Sequence, residues 1–354
     1  MKTQRLLALT SVKGIGAVLV VLYHFQPFFD ALVPALRRFD FIVSEGATAV
    51  DFFFVVSGFS VCFGYANAFS KWTWSGYRRF LWGRLARLYP VHLMMIAVVG
   101  TMALISWHLN YELNWAGYSA VTLLQHLTLV HAWTPHLFLS WNFPSWSISA
   151  LWLMYLVFPG VLWLQSHLRT RTHFVLYSLP LFALIVIQRL SDTELPFRDL
   201  FRVVFGFGMG ALIYRWRALN FRGYWNPAFV WPLIAVAVGR TAFGVESRVF
   251  LPLLFPALLY WLVREGRAWG LLSAAPLVFL GEISYSIYMS HTLVLKFVMR
   301  VFPAERWVGW SVSGRVSLVL GVFAMTGVLG YAVWRWIERP FQRRLLVFLN
   351  RPAN

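Results

Sequence analysis

The feature that most constrains this chain is its succession of long stretches without a formal charge. Gly14 to Phe29, Phe52 to Ser70, Leu88 to Tyr111 and Val316 to Trp334 each reach or approach the ~17–25 residues that cross a bilayer as helix. In hydrocarbon every backbone N–H and C=O must find its partner inside the protein, which favours α-helices for such runs. Of 354 residues, 59% are hydrophobic and 12% charged, about half the charge a soluble domain uses to cover its surface. Most of this surface therefore faces lipid. The expectation is an all-α integral membrane protein, a bundle of about ten transmembrane helices. It forms a single domain over residues 1–354 with no soluble domain appended at either end and no internal repeat.

Ten spans are placed at 9–29, 47–69, 88–108, 145–167, 172–190, 200–216, 225–240, 248–264, 277–298 and 315–337. The loop 113–144 holds no Lys, Arg, Asp or Glu, and its stretch 117–133 suits an interfacial or re-entrant helix. No cleavable signal peptide follows Met1-Lys2-Thr3-Gln4-Arg5, so the first apolar run is expected to be retained. The single cysteine, Cys62, cannot form an internal disulfide and says nothing about redox compartment.

The formal net charge is +18. Nucleic acid is not the expected partner, because the basic residues form neither a tail nor a stripe. They sit in short loops, as orientation signals do. With a cytoplasmic N-terminus, Lys71, Arg78, Arg79, Arg84 and Arg87 fall inside, as do Arg169, Arg171, Arg215, Arg217, Arg222, Arg264 and Arg267. The tail with Arg339, Arg343, Arg344 and Arg351 joins them, while 109–144, free of Lys and Arg, falls outside. Arg37-Arg38 and Arg300, Arg306 and Arg315 run against this pattern. Both termini are expected to be cytoplasmic.

Ionisable groups within membrane spans are costly and are functional candidates by default. His24 and Lys13 lie eleven residues apart, which returns to nearly one helix face about 16 Å along the axis. A snorkelling lysine and an interfacial histidine are the plainer readings of each alone. Asp51, at a similar depth in the second span, needs a partner, and His24 is the expected one, a carboxylate orienting an imidazole base. Exposure at the interface is the alternative. Ser57-Gly58 reads as a helix-packing notch. Arg84 and Arg87 share a helix face and suit phosphates, although membrane anchoring also accounts for them. Trp146-Ser147-Ile148-Ser149 opens the fourth span. In the ninth, Ser284, Tyr288 and His291 form a polar stripe that points into the bundle.

Taken in order, these residues resemble the acyltransferase-3 family over nearly the whole chain. Lys13-Gly14 through Tyr23-His24 has the spacing of the family's first-span Arg-Gly to Tyr-His. Val50 to Phe59 matches its second span, Arg84 to Pro90 its Arg-x-x-Arg step, and Trp146 to Ser149 its Trp-Ser-Leu-Ser. Ile283 to His291 matches Ile-Ser-Tyr-Ser-x-Tyr-x-x-His, and Ile337-Glu338-Arg339-Pro340 its final Ile-Glu-Arg-Pro. Two positions depart: the family's arginine is Lys13 here, and Leu151 stands where a glutamate is usual.

The resemblance implies transfer of an acyl group, usually acetyl, from acetyl-CoA or another acyl-CoA in the cytoplasm to a hydroxyl of a carbohydrate or glycolipid acceptor. It implies a bacterial inner-membrane location and calls for no metal. His24 and Asp51 are the expected catalytic residues, and Lys13, Arg84 and Arg87 the expected contacts to the cosubstrate phosphates. Trp146, Ser147, Ser149, Tyr285, Tyr288 and His291 are the candidates for substrate binding. A multi-span transporter or flippase, and a non-catalytic member of the same fold that binds acyl-CoA or glycolipid, are the competing readings.

Overall fold

Glycines set where the helices cross. In the computed structural model, which describes residues 7–110, 115–134, 141–190, 197–219, 251–265, 270–307 and 309–349, α1 (Leu7–Leu32) lies along α10 (Ala275–Val301). A Cβ added at Gly281 would sit 1.9 Å from the Thr10 carbonyl oxygen, and one at Gly14 would sit 2.7 Å from the Gly281 nitrogen. The second crossing joins α2 (Ala49–Tyr65) to α8 (Arg198–Ala218). There Gly58 faces the Phe207 carbonyl at 2.1 Å and Gly210 the Val55 carbonyl at 2.0 Å from the same construction. Hydrophobic contrast cannot drive association between helices in lipid, so such backbone contact, made possible by small residues, does much of it. The Ser57-Gly58 notch expected from sequence is one of these contacts.

Between the crossings run α3 (Trp74–His108), the short α4 (Ala120–Leu127), α5 (Trp146–Leu156), α6 (Phe158–Ser166) and α7 (Arg171–Leu190). Then come α9 (Leu251–Glu265), α11 (Val312–Val333) and α12 (Arg339–Leu349). All regular structure among the described residues is helical. The helix α3 starts well before the expected third span, because the arginine-rich segment 74–87 forms one continuous helix with it through Pro90; Thr73 caps its N-terminus by accepting from the Gly76 N–H. The expected fourth span is bent by 53° between α5 and α6, where Pro159 supplies no N–H to the ladder. Within 117–133 there is a short helix, α4, with 3-10 turns beside it.

Four helical segments are long and apolar enough to cross a bilayer by themselves: 7–32, 34–69, 74–108 and 312–345. The bent pair makes a fifth if it is one span. The described residues thus bear out an all-helical fold with four or five such spans; a count of about ten is not reached among them. The expected seventh span, 225–240, lies outside the described residues, as does the start of the eighth. The helix α10 is long enough but falls outside that set. Its buried residues include Ser284, Ser286, Ser290 and His291. The interior is aromatic, with Phe54, Phe59, Phe80, Phe158 and Phe207 fully enclosed.

Candidate active site

The α1–α10 crossing fixes more than packing. The two helices run parallel, so moving ten residues on from Gly14 and Gly281 reaches His24 and His291, again side by side. His24 Nδ1 lies 3.3 Å from His291 Nε2, with ring centroids 4.9 Å apart. His24 Nδ1 also lies 2.9 Å from the Val20 carbonyl oxygen, and His291 Nδ1 lies 2.6 Å from that of Tyr288. His291 is wholly buried and His24 half-buried. The Phe143 ring meets His24 edge-on at 5.3 Å. Among the described residues Nε2 of His24 carries no hydrogen bond.

Asp51 does not orient His24, as the sequence reading expects. Its carboxylate accepts from Arg202 Nε at 2.8 Å and Nη2 at 3.3 Å. Arg202 also donates through Nη1 to Asp199 at 3.1 Å and lies 4.7 Å over the Trp146 ring. The cause is the second glycine crossing: a Cβ on Gly206 would sit 3.2 Å from the Asp51 carbonyl oxygen, so the start of α2 faces α8 and its arginine. A buried carboxylate takes a bidentate guanidinium in preference to a neutral imidazole, because both charges are then compensated in a low dielectric. Arg202 was discoverable, since it is an ionisable residue inside a predicted span.

Tyr288, whose ring centre lies 6.0 Å from that of His291, lines a cavity of about 130 Å³ together with Lys13, Arg87, Phe53, Leu151 and Tyr285. Lys13 is half-buried and, among the described residues, makes no hydrogen bond or close ion pair. Arg87 is held along one edge: Nη1 donates to Glu338 Oε1 at 2.5 Å, and the guanidinium lies 5.6 Å from the Tyr285 ring centre. Its Nε and Nη2 donors carry no hydrogen bond among the described residues, and the side chain is 40% exposed. Glu338 is fully buried and fixed from two further sides, by Ser286 Oγ at 2.6 Å and Gln342 Nε2 at 3.2 Å. It sits in a π-helical turn, Trp334–Glu338, that links α11 to α12; such turns are frequent at functional sites. The family motif contains Glu338, yet nothing in its spacing announces that it holds Arg87.

The arginine pair is divided. Arg84 donates through Nη2 to the Tyr65 hydroxyl at 2.9 Å and stacks 4.8 Å over that ring, outside the cavity lining. Three residues on a helix differ by about 60° in direction, enough for two long side chains to diverge. The structure therefore offers Arg87, not Arg84, to a ligand in this cavity.

The remaining expected residues also separate. Ser147 and Tyr288 meet at the cavity wall: the Tyr288 hydroxyl lies 2.9 Å from Ser147 Oγ and 3.0 Å from the Pro144 carbonyl oxygen. Tyr285 donates to the Leu88 carbonyl at 2.6 Å while its ring lines the cavity. Trp146 is buried, with Arg202 over its ring and Phe54 edge-on to it. Ser149 does not face the cavity. Its Oγ donates to Leu129 O at 2.8 Å and accepts from the Ala132 N–H at 3.0 Å, which ties the 129–133 turn to α5. With both capacities spent and no exposure, it is a structural residue. Behind it lie three buried histidines that the sequence reading did not single out. His126 and His131 stack at 3.8 Å, and His92 lies about 6 Å from both ring centres. No group of three or more His, Cys, Asp or Glu among the described residues is arranged to hold a metal ion.

Comparison with known proteins agrees with this arrangement of motifs. The family model described as an acyltransferase domain matches residues 6–335. Acyltransferase MdmB of Streptomyces mycarofaciens is 29% identical over 381 aligned residues, covering 96% of this chain and 92% of the relative. No solved structure matches. A membrane-embedded helical chain matched over nearly its whole length in this way is an acyltransferase, and it belongs to the acyltransferase-3 family.

Proposed function

We propose that this enzyme is a membrane O-acyltransferase that moves a short acyl group, acetyl in the first instance, from cytoplasmic acyl-CoA to a hydroxyl of a carbohydrate or glycolipid. The observation that carries the reading is the pairing of a bare imidazole nitrogen, His24 Nε2, with a nearby cavity whose wall holds two available cations, Lys13 and Arg87. In this reading Lys13 and Arg87 meet the CoA phosphates, Lys13 as a point charge and Arg87 through the edge that Glu338 leaves free. The thioester arm runs along the bundle towards His24. His24 Nε2 takes the proton of the acceptor hydroxyl as its oxygen attacks the thioester carbonyl. The tetrahedral intermediate then expels the CoA sulfur, which receives that proton and leaves as the free thiol. The Asp51–Arg202 pair braces the Trp146 wall.

The same reading has both termini cytoplasmic in a bacterial inner membrane, and about ten spans once the whole chain is counted. The acceptor then reaches His24 from the outer side, where 109–144 lies. The test is thiol release from acetyl-CoA by purified protein in detergent, with mono- and oligosaccharide acceptors. Mass spectrometry of surface glycans and lipids from cells with and without the protein identifies the natural acceptor. Acetyl-CoA consumption that requires an acceptor and falls ~10²–10⁴-fold in His24→Ala supports the reading. Unchanged transfer by His24→Ala removes histidine from it.

A further inference from the structure

The geometry points to His291 as the residue that positions His24 and offsets its charge, a task usually given to a carboxylate. This rests on His24 being the base. The argument is one of proton bookkeeping. A carbonyl oxygen only accepts, so the 2.6 Å approach of the Tyr288 carbonyl to His291 Nδ1 places a proton on that nitrogen. A neutral His291 then bears its lone pair on Nε2, the atom facing His24. The Val20 carbonyl, 2.9 Å from His24 Nδ1, places a proton there in the same way. His24 Nδ1–H is thus shared between the Val20 carbonyl and His291 Nε2, and His24 Nε2 is left as the bare base. The opposite assignment, His291 donating to His24, sets lone pairs against both carbonyls at once. One tautomer of each ring satisfies every contact.

When His24 Nε2 takes a proton, its Nδ1–H becomes the donor of an imidazolium. Two acceptors are already aimed at it, so no reorganisation is needed at that moment. No carboxylate among the described residues bonds either ring. Asp51, the sequence candidate for this task, is committed to Arg202. His291 reaches its place through the Gly14–Gly281 contact, which fixes the register of α1 against α10. It is therefore a positioning residue, and what it must supply is an acceptor at the site of its Nε2.

Two measurements on the purified full chain test this. In steady-state acyl transfer, His291→Gln, whose side-chain oxygen can replace Nε2 as acceptor, keeps kcat within about fivefold of the parent. His291→Phe, which has the ring but no acceptor, loses ~10–10²-fold in kcat with KM for both substrates within about twofold. Should His291→Phe fail to fold by its melting curve, His291→Leu takes its place. Full activity without an acceptor at 291 overturns the proposal, and so does a His291→Gln variant as inactive as His24→Ala, since His291 would then itself carry protons. The second measurement needs no turnover: ¹⁵N-histidine spectra of the detergent-solubilised protein report ring tautomers. Both His24 and His291 are expected in the Nδ1–H form, and an Nε2–H His291 refutes the proposal whatever the activity. A parent protein that consumes no acyl-CoA with any acceptor, yet shows both Nδ1–H forms, refutes instead the acyl-transfer reading above.

Discussion

The steepest dependence of activity on packing is expected at Gly281. A Cβ there would sit 1.9 Å from the Thr10 carbonyl oxygen, a backbone atom that cannot rotate away. Ordinary contact begins near 3.4 Å, so Gly281→Ala must separate α1 from α10 by ~1.5 Å at that level. Overpacking of this kind costs about 1–3 kcal/mol in stability. The larger effect is on geometry, because the same two helices carry His24 and His291 ten residues further on. Their contact at 3.3 Å is already at the long end for a hydrogen bond and does not survive an added ångström. A misplacement of ~1 Å at a reacting group can cost about 10²-fold in rate. Gly281→Ala is therefore expected to lose one to two decades in kcat while its melting temperature falls by only a few degrees. Gly321→Ala and Gly327→Ala on α11, where nothing lies within 4 Å of the added carbon, are the controls and should match the parent in both. The assay is thiol release from acetyl-CoA at equal amounts of folded protein, with a melting curve for each variant. A folded Gly281→Ala enzyme with parental kcat would show that the glycine contact does not set the histidine register.

Other outcomes follow from the same structure. Lys13→Ala should weaken acyl-CoA binding by roughly one to two decades while Lys13→Arg retains it, measured by titration calorimetry; equal affinity for all three would leave Lys13 as an orientation signal. Arg87→Ala should weaken acyl-CoA binding far more than Arg84→Ala, since Arg87 lines the cavity while Arg84 lies outside it, stacked on Tyr65. Asp51→Asn should act mainly on stability, by about 3–5 kcal/mol, because it strips one partner from a buried ion pair. Asp51→Asn with Arg202→Met should recover part of that loss in a melting curve, and a double variant no more stable than the single would argue against the pair. Cysteines placed in 115–134 should label from outside the cell, and labelling from the cytoplasm alone would invert the topology.

How far the site could be read in advance depended on whether a residue's partner lies near it in sequence or across the bundle. His24 and Lys13 stand out because ionisable groups are rare in membrane spans, and Arg87 because it shares a helix face with Arg84; Lys13 and Arg87 line the cavity. Their partners could not be read in the same way. Asp51 and His24 match in depth, but depth is one coordinate of three, and the direction each side chain faces is set by the crossings at Gly206 and Gly281. Ser149 looked like part of a polar opening to the fourth span. Its bonds run instead to Leu129 and Ala132, in a loop whose path no periodicity reveals. The division of Arg84 from Arg87 likewise depends on Tyr65 and Glu338, the latter 251 residues away in the chain.

The two departures from the family pattern bear on one cavity. Lys13 and Leu151 both line it, so the change from arginine to lysine and that from glutamate to leucine act on the same local electrostatics. Removing a carboxylate there leaves Glu338 as the acid bonded to Arg87, with both of its oxygens engaged. Lysine needs less compensation in this setting than a second fork would need hydrogen bonds, because a compact ammonium can follow a mobile anion on its flexible stem. The pair of substitutions is thus internally consistent: a cavity stripped of one acid keeps a single anchored guanidinium and one adaptable ammonium. Restoring the glutamate alone is then expected to be worse than restoring both. Leu151→Glu should place a carboxylate beside Lys13 and Arg87, compete with a phosphate for them, and raise the Kd for acyl-CoA by about tenfold or more. Adding Lys13→Arg should recover part of that loss, since arginine has donors enough for a carboxylate and a phosphate together. Additive effects of the two changes in a binding titration would show that the positions do not share a ligand site.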